Sequence, residues 1–301
     1  MTRSSLLPAL GVTALAGLGC LTWAAAVEPH LFTVRRREHA VLPAGATPLR
    51  VLHLSDLHLT SWQHHKMNWV HALADLEPDL VVNTGDNLGG DVLGHVVETY
   101  GRLLDVPGVF VLGSNDLHAP VFKNPARYLR GPSEVEDDHA GTGPDLPTAE
   151  MVEAFERRAW HFLDNRDARI TLGGTTLDFS GLGDHHMDAA HVAETHPSFP
   201  DDATVRIGVT HSPYTAVLDA FAEAGADLVF AGHTHGGQLR IPFWGAPVTN
   251  CDLPHDRARG TFDHRGTAVE VSAGLGFSPF APVRFACRPE VTLVTLVPRE
   301  E

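Results

Sequence analysis

From Leu49 onward the chain alternates short apolar runs with segments of helical period. Leu49–Leu54 reads as a buried strand, and in 62–76 the positions Trp62, Trp69, Val70, Leu73 and Leu76 fall near helical spacing before Pro78. Asp79–Asn83 predicts a second strand. Leu93, Val96, Val97, Tyr100, Leu103 and Leu104 form the stripe of a second helix, and Val109–Leu112 predicts a third strand. Residues 119–147, rich in Pro, Gly and acid, break the rhythm and read as an excursion or cap over the domain. Thr148 then opens a helix carrying Met151, Val152, Phe155, Ala159 and Phe162. Ile170–Leu172 and Thr176–Phe179 flank Gly173-Gly174 as a hairpin. Strand 205–209, helix 215–224, strand 227–231 and further Pro- and Gly-rich strands complete the chain. The sum is an α/β layered domain, and a four-layer sandwich of two mixed β-sheets flanked by helices fits the order.

The informative feature is how the strands end. They lead into Ser55-Asp56-Leu57-His58, Asn83-Thr84-Gly85-Asp86, Gly113-Ser114-Asn115-Asp116, Thr210-His211 and Gly232-His233-Thr234-His235. Ligands of open α/β sheets gather at the carboxyl ends of strands, so these groups can converge on one site. Mixed oxygen and nitrogen donors without sulfur suit Mn, Fe or Zn better than a structural zinc site or a calcium loop. Asp-x-His at 56–58, or His211, would alone be an ordinary polar position. A histidine pair framed by Gly232, Gly236 and Gly237 directly after an apolar strand has few structural reasons to exist.

In this order the motifs Asp56-x-His58, Gly85-Asp86, Gly113-x-Asn115-Asp116, His211 and Gly232-His233-x-His235 resemble the calcineurin-like metallophosphoesterase superfamily, over about residues 49 to 296. Gly274-Leu275-Gly276 and Pro282-Val283-Arg284-Phe285 resemble its bacterial membrane-associated or exported branch. The resemblance implies a dinuclear centre of divalent ions. Asp56, His58, Asp86 and His235 would hold one ion; Asp86, Asn115, His211 and His233 would hold the other, with Asp86 bridging cations ~3.5–4 Å apart. It implies hydrolysis of phosphoester bonds, most readily diesters, by a hydroxide that the metal pair generates. A phosphomonoesterase, or a pyrophosphatase acting on a nucleotide-sugar lipid, is the alternative within the same chemistry. The chain departs from the family's Gly-Asn-His-Asp/Glu pattern at Gly113-Ser114-Asn115-Asp116. Asn115 is assigned as ligand over Ser114, because an amide oxygen binds metal better than a neutral hydroxyl. The family's histidine is missing there, and with it the group that stabilises the transition state or protonates the leaving group. His118 is the first candidate to replace it, with His185 and His186 behind. This gap is the one feature that favours a metal-binding but inactive scaffold.

Composition narrows the partners. The 301 residues carry a formal net charge of -15, which disfavours duplex nucleic acid. Three cysteines (Cys20, Cys251, Cys287) form neither a disulfide framework nor a thiolate zinc site. Residues 1–30 read as a membrane anchor or signal segment ahead of a domain over 31–301. No charge lies between Arg3 and Glu28, and 6–27 is almost wholly apolar and long enough to cross a bilayer. Ala24-Ala25-Ala26 resembles a signal-peptide cleavage site, so cleavage and export is the competing reading. Arg35, Arg36 and Arg37 would place the following domain on the cytoplasmic side unless they belong to the first strand, so the side of the membrane stays open. Such a location makes a lipid-linked phosphoester attractive as substrate.

Overall fold

The computed structural model describes residue 15 and residues 17–121, 143–184, 195–277 and 282–300. Twelve strands form two six-stranded sheets. The first is built from β1 (Thr33–Leu42), β2 (Leu49–Leu54), β3 (Leu80–Asn83), β4 (Gly108–Phe110), β5 (Trp160–Phe162) and β12 (Glu290–Pro298), in the order β1-β12-β2-β3-β4-β5. The second holds β6 (Asp167–Leu172), β7 (Thr175–Leu182), β8 (Arg206–Thr210), β9 (Leu228–Ala231), β10 (Gly260–His264) and β11 (Thr267–Val271), in the order β10-β11-β9-β8-β7-β6. The first sheet is parallel except between β12 and β2, and the second has a parallel centre flanked by the antiparallel pairs β6–β7 and β10–β11.

Alternation along the strands builds the layers, because successive side chains point to opposite faces. Leu80 and Val82 of β3 join Val51, Val109, Phe179, Ile207, Leu228 and Phe230 in the core between the sheets. Val81, with Leu52, Leu54 and Phe110, faces outward onto helices α1 (His64–His71), α2 (Leu93–Tyr100) and α3 (Thr148–Glu156), through Val70, Tyr100 and Phe155. Val229, Ala231, Val269 and Val271 face α4 (Thr215–Glu223) through Val217, Leu218 and Phe221. The result is the expected four-layer sandwich.

Two elements depart from the periodicity. The stripe expected to run from Thr148 to Phe162 as one helix stops at Glu156, and Trp160–Phe162 is instead a strand paired with β4. Trp160 is buried and its Nε1 donates to the Leu103 carbonyl at 3.1 Å, so it packs as a strand residue against the helical layer. The second helix ends at Tyr100 because Gly101 leaves helical geometry at φ 48°, and Leu103 and Leu104 follow in a 3-10 turn.

Most of the excursion, residues 122–142, lies outside the described residues, as do His185 and His186. Its flanks meet: the Ala119 N–H donates to the Pro144 carbonyl and that of Leu146 to the Leu117 carbonyl, each at 2.9 Å. Residues 1–14 of the N-terminal segment also lie outside. No helix among the described residues is long and apolar enough to cross a membrane. Arg35, Arg36 and Arg37 belong to β1, where Arg35 pairs with Glu290 at 2.9 Å, so they say nothing about the side of a membrane.

Candidate metal centre

The loops after β2, β3, β4, β8 and β9 meet at the carboxyl edge of both sheets. Donor atoms of Asp56, His58, Asp86 and His235 all lie within 4.8 Å of one another, and all four residues are buried or nearly so. A chain of short contacts runs through them and beyond. Asp56 Oδ1 is 3.7 Å from His235 Nε2, which is 3.2 Å from His58 Nε2, which is 3.3 Å from Asp86 Oδ2. From the same Asp86 oxygen it continues 3.5 Å to His211 Nε2 and 3.3 Å on to His233 Nδ1. Asp86 therefore stands between two groups of donors, one with Asp56, His58 and His235, the other with His211 and His233.

Asn115 adjoins the same carboxylate: its backbone N–H donates to Asp86 Oδ1 at 2.8 Å and its amide to Oδ2 at 3.0 Å. Ser114 Oγ lies 3.3 Å from that amide nitrogen. His118 is turned toward Asp145, Nδ1 to Oδ1 at 3.0 Å, on the partly exposed rim.

Local backbone aims these side chains. Asp56, His58, Asp86, His233 and His235 all have φ between 41° and 67°. Positive φ is uncommon for any residue with a side chain, and five such residues gathered in one place mark the kind of backbone strain that concentrates at functional sites. The glycines supply clearance. A Cβ on Gly232 would come within 1.9 Å of Ser55 Oγ and 2.8 Å of Asp56 Oδ2; one on Gly113 would come within 2.2 Å of Asp86 Oδ1.

Surrounding groups fix the orientation of the candidate ligand side chains. His211 Nδ1 donates to the Thr84 carbonyl at 2.6 Å, leaving Nε2 toward Asp86. His233 Nε2 lies 3.0 Å from the Asn250 carbonyl, leaving Nδ1 toward His211. Asp116 is fully buried and accepts from the backbone N–H groups of Asp86, Asn87, Leu88 and Gly113 and from the Asn87 amide. One carboxylate thus ties the Asp86 loop to the Gly113 loop. Buried Arg284 donates to the carbonyls of Ala273, Gly274, Gly276 and Cys287, and so braces the turn whose Gly274 packs against Asp56. Neither role is legible in the sequence, where Asp116 closes a loop motif and Arg284 is one basic residue in a Pro-rich stretch.

The buried carboxylates make the cluster attract positive charge, which without a metal rests partly on His211 as a proton that a bound cation would displace. Burial alone would raise the Asp86 carboxyl, but His211 and His58 outweigh it and hold it well below the usual carboxylate range. Burial opposes charge on His211 too, yet the Asp86, Asp184 and Asp56 carboxylates raise it to about 10. Burial, His58 and Arg284 push His235 far below the ordinary histidine value, so it stays a neutral donor. The Nε2 atoms of His58 and His235, 3.2 Å apart with the Asp56 and Asp86 carboxylates beside them, bring four nitrogen and oxygen donors to one point, an arrangement that suits a divalent cation. The donor set fits the metals expected from the sequence.

Comparison with known proteins agrees with this geometry. A family model described as calcineurin-like phosphoesterase matches residues 49–237, which hold every candidate ligand. The uncharacterized metallophosphoesterase YkuE of Bacillus subtilis is 26% identical over 299 residues, covering 96% of this chain and 93% of its own. The phosphodiesterase YaeI of Escherichia coli is 26% identical, covering 90% of each chain. The UDP-2,3-diacylglucosamine pyrophosphatase LpxG of Chlamydia trachomatis is 28% identical, covering 90% of this chain and 91% of its own. With five strand ends converging on one carboxylate-histidine cluster and the family model spanning more than half the sequence, the chain belongs to the calcineurin-like phosphoesterase family.

Proposed function

We propose that this protein hydrolyses phosphodiesters at a centre of two divalent ions, Mn, Fe or Zn, shared by Asp86. The observation that carries this reading is the position of Asp86 Oδ2, within 3.3 Å of His58 Nε2 and 3.5 Å of His211 Nε2. Asp56, His58, Asp86 and His235 would hold one ion; Asp86, Asn115, His211 and His233 the other. Divalent ions at such a centre lower the pKa of bound water and offset charge developing on phosphoryl oxygens. The protein's own part is orientation. The Thr84 carbonyl sets the His211 tautomer, the Asn250 carbonyl sets that of His233, and Asp116 holds the Asp86 loop, so the donors do not reorganise during the reaction. His118 is our candidate proton donor to the leaving oxygen. Its Nδ1 is engaged by Asp145, which leaves Nε2 as the atom that would meet substrate.

The apolar N-terminal segment supports attachment to a membrane, and the similarity to LpxG supports a lipid-linked phosphoester or pyrophosphate as substrate. The metal-loaded protein assayed on an aryl phosphodiester, the matching monoester and a diacylated nucleotide-sugar pyrophosphate should turn over the diester faster than the monoester. Preference for the monoester would overturn the diesterase reading. Faster turnover of the pyrophosphate would make that the physiological bond type. Absence of turnover on all three with metals bound would leave a scaffold.

A further inference from the structure

Four large apolar side chains crowd into six residues directly after the His233–His235 loop, and the fold buries none of them. Leu239 is 46% exposed, Ile241 52%, Phe243 fully and Trp244 53%. The segment is nonetheless built. Ile241 and Gly245 exchange backbone hydrogen bonds at 2.9 and 3.1 Å, the Trp244 N–H donates to the Ile241 carbonyl, and the Trp244 ring stacks on His255 at 4.7 Å. Gly245 (φ 110°) admits the turn, since a Cβ there would come within 2.6 Å of the His255 carbonyl. Phe243 sits at φ 68°, a strained conformation for an aromatic residue. Its ring gains no burial in return. A turn held in shape to display Leu, Ile, Phe and Trp outward is unusual on a soluble surface.

What covers it follows from its neighbours. The Phe285 N–H donates to the Gln238 carbonyl and the Arg240 N–H to the Phe285 carbonyl, both at 2.9 Å. On the other side of that strip, the Arg284 N–H donates to the Ala24 carbonyl at 2.9 Å. Buried Glu28 accepts from the Ala286 and Cys287 N–H groups and, at 2.7 Å, from Trp23 Nε1. The base of the N-terminal segment is therefore clamped beside the turn. Leu15, Leu18 and Leu21 are each more than 60% exposed, and the sequence upstream stays uncharged back to Arg3. Charge agrees. The chain has 37 acidic residues, yet no Asp or Glu stands between Asp227 and Asp252, and Arg240 lies within the turn. A segment free of acid, tipped with Trp and Phe and carrying Arg240, matches the headgroup boundary of a phospholipid bilayer.

We propose that the turn 239–244 is an interfacial docking element that seats in the lipid surface beside the N-terminal segment and holds the mouth of the metal centre against the membrane. This rests on the proposed membrane attachment but not on the catalytic reading. The full chain carrying Cys20→Ser, reconstituted with vesicles of phosphatidylcholine and phosphatidylglycerol, is labelled with an environment-sensitive fluorophore at Phe243→Cys or, in a second preparation, at Thr171→Cys. Thr171 is exposed at the β6–β7 turn, at the opposite end of its sheet from the centre. The native Cys20, labelled in a third preparation, reports on the N-terminal segment; Cys251 and Cys287 are buried. The expected result is a blue shift at position 243 with quenching by doxyl lipids approaching that at Cys20, and no change at 171. Quenching at Cys20 with a water-like signal at 243 would overturn the docking element and leave the attachment standing. Quenching at 243 without quenching at Cys20 would remove the N-terminal attachment on which the proposal rests and overturn its seating beside that segment, leaving lipid contact at the turn alone. A blue shift at 243 that is present without vesicles and insensitive to doxyl lipids would mean that protein covers the turn, and would also overturn the proposal.

Discussion

Asp116 shows how much a single buried side chain can decide. It touches none of the four clustered donors through its own carboxylate, yet four backbone N–H groups and one amide converge on it. Burial and the Asp86 charge raise it to about 6, against the hydrogen bonds that favour its charged form. Asp116→Asn turns one acceptor into a donor facing backbone donors. Each lost bond to a charged acceptor is worth about 1.5–3 kcal/mol, so the variant should lose about 2–4 kcal/mol of stability by denaturant unfolding, together with most of its metal affinity. An unchanged midpoint would mean that the two loops do not depend on this carboxylate. His53 makes a second case. It is fully buried, 3.1 Å from Thr84 Oγ1, and burial lowers it to about 4 despite Glu270. The unfolded histidine, near 6.5, binds a proton in the window between the two values and the folded one does not. Its neutral form therefore supports full stability above about pH 6.5, and stability falls as pH drops toward 4, by about 2 kcal/mol between pH 7 and 5. In His53→Gln this part of the pH slope should vanish; an identical slope would assign it to other groups.

At the scale of elements, glycine is what lets the loops carrying the candidate ligands approach from two sheets. Gly232→Ala keeps every donor but would drive a methyl group into Ser55 and Asp56. We expect the variant to fold with altered metal binding at the Asp56 group, seen as a loss of bound metal per chain while its thermal midpoint stays near that of the wild type. Wild-type metal content would show that the loop yields without cost. The same scale explains what the sequence made legible. Parallel strands buried on both faces read as short apolar runs, and each ligand directly follows such a run, so Asp56, Asp86, His211, His233 and His235 stood out by position. The strand at Trp160–Phe162 did not, because its apolar residues continue the phase of the preceding helix, and three residues are too few to show a period of two. Asp116 and Arg284 were hidden for another reason. Their partners are backbone groups brought close only by the sandwich, and backbone leaves no mark in sequence.

On the scale of the whole molecule, the sandwich is what brings the candidate donors together. β2, β3 and β4 deliver Asp56, His58, Asp86 and Asn115 from one sheet, while β8 and β9 deliver His211, His233 and His235 from the other. Neither sheet holds a complete donor set, and Asp86 is where the two sets join. The direct test is metal stoichiometry by elemental analysis of the purified protein and its single variants, with aryl diester turnover measured on the same samples. We predict two ions per chain in the wild type and a loss confined to one ion in either His235→Ala or His211→Ala. Asp86→Ala should lose more metal than either, and turnover should fall by orders of magnitude. Two ions and normal turnover in a folded Asp86→Ala protein would contradict the shared-carboxylate centre.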